Sequence, residues 1–269
     1  MERGRTRTNA EMSADSVTFI GIDLAWSRNN ASGAAIVRGD AHGGELMETA
    51  RLGNDDEIVG YIGAAAGVGP AIVAVDAPLV VPNPTGRRPG EQELGKIFAK
   101  HQAGAHPANR GLPVFQQDVR GEELVHRLEL YGFRHKETIE AELEIRQVIE
   151  VYPHAAMIAL FELDRTLKYK AKPKRSIEVR RAAWGEYQRY LNELADRDPP
   201  LRGQALLTGQ DVAVLRGRRL KEYEDRVDAL MCAYIALYAF RWGMARCRSF
   251  GTLAGGYIFT PLPRYLREE

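Results

Sequence analysis

Residues 71–75 (AIVAV) are a continuous apolar run closed by Asp76. A segment so short and so uniformly apolar suits a central strand with parallel neighbours, because crossover helices cover both of its faces. A second run, residues 17–25 (VTFIGIDLA), is rich in β-branched and aromatic residues and carries Asp23 near its end. Two buried strands that each close on an aspartate predict an α/β chain with acidic groups gathered at one edge of its sheet.

The remaining segments supply the order. Residues 26–30 are a polar turn, and 33–37 and 45–52 read as strands joined through Gly39, Asp40, Gly43 and Gly44. The first three strands therefore form an antiparallel meander. Asn54 followed by Glu57 is a capping-box-like start to a helix with Ile58, Tyr61 and Ile62 on its apolar face, ending at Gly67. That helix is a right-handed crossover into 71–75. Between Pro78 and Gly121, prolines, glycines and polar groups such as Arg87, Arg88, His101 and His106 leave one short helix at 91–100. This stretch, 78–121, reads as an insertion over the sheet end. Helices are expected at 122–130 and 138–145, a fifth strand at 147–152 closed by Pro153, and longer helices at roughly 154–163, 176–195 and 220–242.

The sum is an α/β fold with a five-stranded mixed central sheet, an antiparallel meander plus parallel strands, flanked by helices. That is the ribonuclease H-like arrangement, expected as a single domain over 16–269. Residues 1–15 hold three arginines and no apolar run, and are expected to be a disordered tail.

Composition sets limits on partners. With 45% hydrophobic residues the chain can bury a large core, and with a net charge of +1 any nucleic-acid contact must come from a local basic patch. The two cysteines, Cys232 and Cys247, lack zinc-site spacing and read as buried thiols in a reducing compartment. The longest apolar helical run, 229–240, falls short of the roughly 20 residues of a membrane helix and meets Arg241. A cytoplasmic protein without membrane contact is expected.

If the fourth strand lies beside and parallel to the first, Asp23 and Asp76 meet. Neighbouring carboxylates repel unless they share a proton or bind a cation, and oxygen donors favour Mg²⁺ or Mn²⁺. Glu150 ends the fifth strand and lines the same cleft, unless Arg146 or a lysine neutralises it as a structural pair. Asp225 and Asp228, three apart, share one face of the last long helix, although Asp225 also fits a charged first turn. The segment Lys168, Tyr169, Lys170, Ala171, Lys172, Pro173, Lys174, Arg175 gathers positive charge suited to phosphates, or forms a solvated loop. Arg216, Arg218, Arg219 and Lys221 could extend that patch.

Five motifs in order, 21–26 (GIDLAW), 75–79 (VDAPL), 150–154 (EVYPH), 168–170 (KYK) and 225–230 (DRVDAL), resemble a bacterial and archaeal family, domain of unknown function 429. Its members are described as predicted nucleases with a ribonuclease H-like fold, and the resemblance runs from about Val17 to Pro263. It implies an acidic site of Asp23, Asp76, Glu150 and Asp228.

The function expected from these residues is a two-metal phosphodiesterase acting on DNA or RNA. Asp23 would bridge two Mg²⁺ or Mn²⁺ ions about 3.5–4 Å apart, and Asp76, Glu150, Asp228 and Asp225 would complete their shells. Lys168, Lys170, Lys172, Lys174 and Arg175 would hold the nucleic-acid backbone. One alternative is a non-catalytic module that binds nucleic acid or protein on the same fold. Another is an actin-like or sugar-kinase-type ATP-binding protein, against which residues 26–30 offer no glycine-rich phosphate loop.

Overall fold

Side chains alternate across a strand, and in the first strand the alternation separates two cores. Val17 and Phe19 enter one apolar cluster, whereas Ile20, Ile22 and Leu24 enter another on the opposite face. The computed structural model describes residues 16–267; the expected tail at 1–15 lies outside the described residues.

Along the chain come β1 (Val17–Asp23), β2 (Ser32–Asp40), β3 (Gly43–Leu52), α1 (Asp55–Ala66), β4 (Ala71–Val75), α2 (Pro89–Phe98), α3 (Arg120–Glu129), β5 (Arg134–His135), β6 (Arg146–Glu150), α4 (Pro153–Phe161), α5 (Ile177–Glu193), β7 (Leu201–Arg202), α6 (Ala205–Thr208), α7 (Gly217–Arg246), β8 (Cys247–Thr252) and β9 (Gly256–Pro261). The fold is mixed α/β. Its central sheet runs β5-β6-β4-β1-β2-β3-β7, with the β1–β2–β3 meander antiparallel and β4 and β6 parallel to β1. Seven strands are present where five were expected. The additions, β5 and β7, are two-residue edge strands, too short to carry a periodic signal in the sequence.

Local chemistry places the boundaries. Asn54 caps α1 by accepting from the Glu57 N–H at 2.9 Å, and Ser176 caps α5 by accepting from Val179. The expected helix at 138–145 is absent. Ile139 is buried there, the Glu142 N–H donates to the Phe240 carbonyl at 2.7 Å, and the Gln147 amide donates to the carbonyls of Lys136 and Thr138. Those backbone groups serve the end of α7 and the start of β6, so no helical ladder forms. Gly243 bends α7 at this place with φ of 47°, and a Cβ on it would stand 2.8 Å from the Ala141 nitrogen.

Helices α1 and α3 cover one sheet face, and α7, backed by α4 and α5, covers the other. The stretch of α7 from Val227 to Phe240 is buried on every side. It lies unusually close to the sheet: a Cβ on Gly21 would be 1.9 Å from the Ala229 carbonyl, and one on Gly33 would be 2.0 Å from that of Asp225. These strand glycines exist for that approach. No helix among the described residues is long and apolar enough to cross a membrane, and both cysteines are buried and unpaired.

The hairpin β8–β9, a separate two-stranded sheet, was not anticipated, although the Gly255-Gly256 turn and the apolar positions around it mark one. It packs Phe250 and Ile258 against Leu94 and Phe98 of α2, and so fastens the 78–121 stretch over the strand ends.

The close approach makes a direct prediction. Gly21→Ala should cost at least about 3 kcal/mol, because the methyl group meets helix backbone that cannot yield. Gly60→Ala, on the exposed side of α1 with open space around it, should instead stabilise by roughly 0.5–1 kcal/mol. Urea unfolding of both variants measures the contrast, and equal effects would contradict the packing described.

Candidate functional site

Strand register decides which acidic groups can meet. In the parallel β1–β4 pair Ile22 stands beside Val75, and the Asp76 N–H donates to the Ile22 carbonyl at 2.8 Å. The next step of that ladder sets Asp23 beside Asp76, both on the α7 face. The two side chains are half-buried, and neither carboxylate has a hydrogen-bond or ion-pair partner among the described residues. Burial pushes both upward, Asp23 well above the usual carboxylate range and Asp76 up to about 7. The Lys170 ammonium opposes the shift, while Asp228 adds to it in both.

Glu150 lines the same cleft as Asp23 and Asp76, as expected, but from the other face of the sheet. It stands beside Val75, so the β6 residue on the face of Asp76 is Val151. Its two oxygens are already engaged: Arg88 donates to them at 2.6 and 2.9 Å, and the Leu79 N–H donates to one at 2.8 Å. Arg88 also pairs with Glu91 at 2.8 Å, and these carboxylates hold its guanidinium firmly charged. The neutralising cation is therefore Arg88 from the insertion. Arg146 instead donates to the carbonyls of Tyr131, Gly67 and Gly69.

Asp228 is fully buried on α7, about one helical turn after Asp225. Tyr169 donates to its Oδ1 at 2.7 Å and Tyr187 approaches the same oxygen at 3.4 Å. The Lys170 Nζ lies 2.7 Å from Oδ2, an ion pair off the angle of a good hydrogen bond. Lys170 is held charged above its ordinary range by Asp228, Asp23 and Asp76 in turn. Asp225 points to the far side of Asp23 and pairs with Lys221 at 2.7 Å. Among the described residues no group of three or more His, Cys, Asp or Glu side chains is arranged to hold a metal ion.

The basic segment divides. Lys170, Lys172 and Arg175 line a cleft of about 490 Å³ whose floor includes Asp23 and Asp76. Lys168 and Lys174 are exposed and do not line it. Arg175 donates to the Lys170 carbonyl at 2.7 Å, which fixes the loop that carries the lysine. His154, in the first turn of α4, faces the same cleft with Thr166 3.0 Å from its Nδ1. Burial and the neighbouring Lys170 lower it to about 3, so its imidazole is neutral at pH 7.

Arg120, at the start of α3, donates to the carbonyls of Ala25, Ser27 and Asn30 and pairs with Asp55 at 2.6 Å. It clamps the turn after β1, where Trp26 packs on Phe115 at 5.1 Å and walls the cleft. Arg88, Arg120, Tyr169 and His154 escaped the sequence reading as functional positions. The Arg88–Glu91 spacing of three was a legible sign for the first; the rest depend on long-range contacts.

The raised Asp76 carboxyl has a pH consequence. Between about pH 4 and 7 the folded protein holds this proton and the unfolded chain has lost it, so stability falls as pH rises through that window. Asp76→Asn removes the term. In a chelating buffer the variant should melt higher than the parent at pH 8, its folding free energy being more favourable by at most a few kcal/mol at about 1.4 kcal/mol per pK unit, and the gap should close toward pH 4. A lower melting temperature at pH 8 would contradict the absence of a partner for Asp76.

A search of curated proteins and of solved structures finds no match to the chain. A family comparison does match, over residues 21–249, which include the Asp23–Asp76 pair, the Lys170 loop and α7. The chain belongs to the family described as protein of unknown function, DUF429.

Proposed function

We propose that the cleft hydrolyses phosphodiester bonds of nucleic acid with the help of one divalent cation on Asp23 and Asp76. The observation that carries the reading is that these two adjacent, partnerless carboxylates lie on a cleft floor under Lys170, Lys172 and Arg175. The meander followed by parallel strands, with an aspartate at the matching ends of β1 and β4, supports a ribonuclease H-like reading of the fold. Mg²⁺ is commonly held by one or two carboxylates plus substrate phosphate, so a two-carboxylate donor set fits it without a preformed cage.

When bound, Mg²⁺ or Mn²⁺ would lower the pKa of an attacking water and polarise a phosphoryl oxygen. The chain's own groups supply the rest. Lys170, fixed by Asp228, presents a permanent positive charge to the developing negative charge on phosphate. Lys172 and Arg175 orient the backbone at the cleft wall. Asp228, held by Tyr169 and Lys170, positions the lysine, and Asp225 is spoken for by Lys221. Glu150 keeps the insertion in place through Arg88.

Calorimetry with Mn²⁺ tests this. The parent protein should take up close to one ion, and Asp23→Asn and Asp76→Asn should each lose that uptake while staying folded. Glu150→Gln should keep the uptake yet lose about 3–5 kcal/mol of stability, because it leaves Arg88 buried and underpaired. Undiminished Mn²⁺ affinity in folded Asp23→Asn would overturn the assignment.

A further inference from the structure

The cleft has a neighbour. On the other side of Asp23 lies a second cavity of about 500 Å³, and the two share Asp23, Ala25 and Trp26 as their common wall. The second cavity is lined by Arg51, Arg218 and Lys221, by the carboxylates Glu222 and Asp225 that pair with them, and by the polar turn residues Ser27, Asn29 and Asn30. Each volume is of a size to take a small ligand, and the acidic pair stands at the boundary between them.

We infer that the substrate is a single-stranded polynucleotide that crosses the shared Asp23–Trp26 wall and occupies both cavities, so that the bond at Asp23 is an internal one. This rests on the nucleic-acid reading above and specifies its substrate class. A mononucleotide fills one cavity at most and leaves the other side of the acidic pair without contacts. A strand places one phosphate at Asp23 and its neighbours near cations on either side: Lys170, Lys172 and Arg175 in one cavity, Arg51 and Arg218 in the other, where Lys221 stays with Asp225 and Glu224.

The two arginines of the second cavity are available for exchange. Arg218 pairs with Glu222 across one helical turn while 78% exposed, and Arg51 lies 3.6 Å from the same carboxylate. Exposed pairs of this kind are worth at most about 1 kcal/mol, so a phosphate replaces the carboxylate at little cost. Trp26, part exposed and buttressed by Phe115, stands on the dividing wall where a base of an unpaired strand can stack. An aromatic platform with exchangeable cations on both sides is the arrangement that single strands require and that free phosphate does not.

The test measures binding of fluorescently labelled thymidine monophosphate and of thymidine oligonucleotides of four and eight residues, in Ca²⁺, to the parent and to an Arg51→Ser/Arg218→Ser double variant. Affinity should rise at least roughly 100-fold from the monophosphate to the eight-residue strand, through added phosphate and stacking contacts. The double variant should weaken the eight-residue strand at least about 10-fold, flatten its logarithmic salt dependence by about 1.4 for two lost phosphate contacts, and leave the monophosphate unaffected. Both arginines are exposed, and unchanged melting temperatures will show that folding is intact. Equal affinity for monophosphate and eight-residue strand, indifference of the strand to the double variant, or preference for a duplex of the same length would overturn the inference. Failure of every oligonucleotide to bind would overturn it together with the nucleic-acid reading. Length-dependent binding without Mn²⁺ uptake at Asp23 and Asp76 would uphold it and overturn only the cation assignment.

Discussion

Everything at the cleft depends on how closely α7 can approach the sheet. Gly21 and Gly33 remove the side chains that would hold it off, and the helix backbone at Asp225, Ala229 and Ala233 settles against β1 and β2. Without that approach Asp228 would stand away from Asp23, and Lys170, which reaches Asp228, would no longer overhang the acidic pair. The same approach accounts for a helix buried on all sides whose first turns remain charged. Its apolar length from Ala229 to Phe240 fills the space between sheet and outer helices, and its polar beginning emerges at the strand ends.

Charge compensation then sorts the acidic residues by role. Arg88 answers Glu150, Lys221 answers Asp225 and Lys170 answers Asp228, each within 2.7 Å. Burying any of these carboxylates alone would be costly, and pairing makes each a structural anchor with a defined neighbour. Asp23 and Asp76 have no cation against them, only the through-space attraction of Lys170 on both and of Lys221 on Asp76, and their tendency to stay protonated is the physical trace of that shortage. The acidic residues that anchor structure are thus separated from the two that do not by whether a cation sits against them.

The central part of this was legible in the sequence. The apolar run closed by Asp76, the similar run holding Asp23, and the meander between them carry period and turn signals strong enough to specify five strands and the meeting of two aspartates. Glu150 shows where a further step was available: counting register from Val75 puts it on the face opposite Asp76, which strand parity alone reveals once β6 is placed. Its partner Arg88 lies in an irregular stretch where no periodicity constrains position. The segment 138–145 looked helical because local propensity favours it, but the end of α7 and the Gln147 side chain claim its backbone groups. The lysine-rich loop gave composition without direction, so Lys170 and Lys172 at the cleft could not be told from Lys168 and Lys174 in solvent.

Arg120 joins parts of the molecule that are far apart in sequence. Its guanidinium holds three carbonyls of the turn bearing Trp26, its other nitrogen grips Asp55 at the start of α1, and its backbone opens α3 at the close of the insertion. Trp26 in turn rests on Phe115, within that same insertion. The turn, the insertion's final stretch and the head of α1 are therefore fastened to one another at the partition between the two cavities. The shape of each cavity is thereby tied to the same few contacts, since the wall that bounds one also bounds the other.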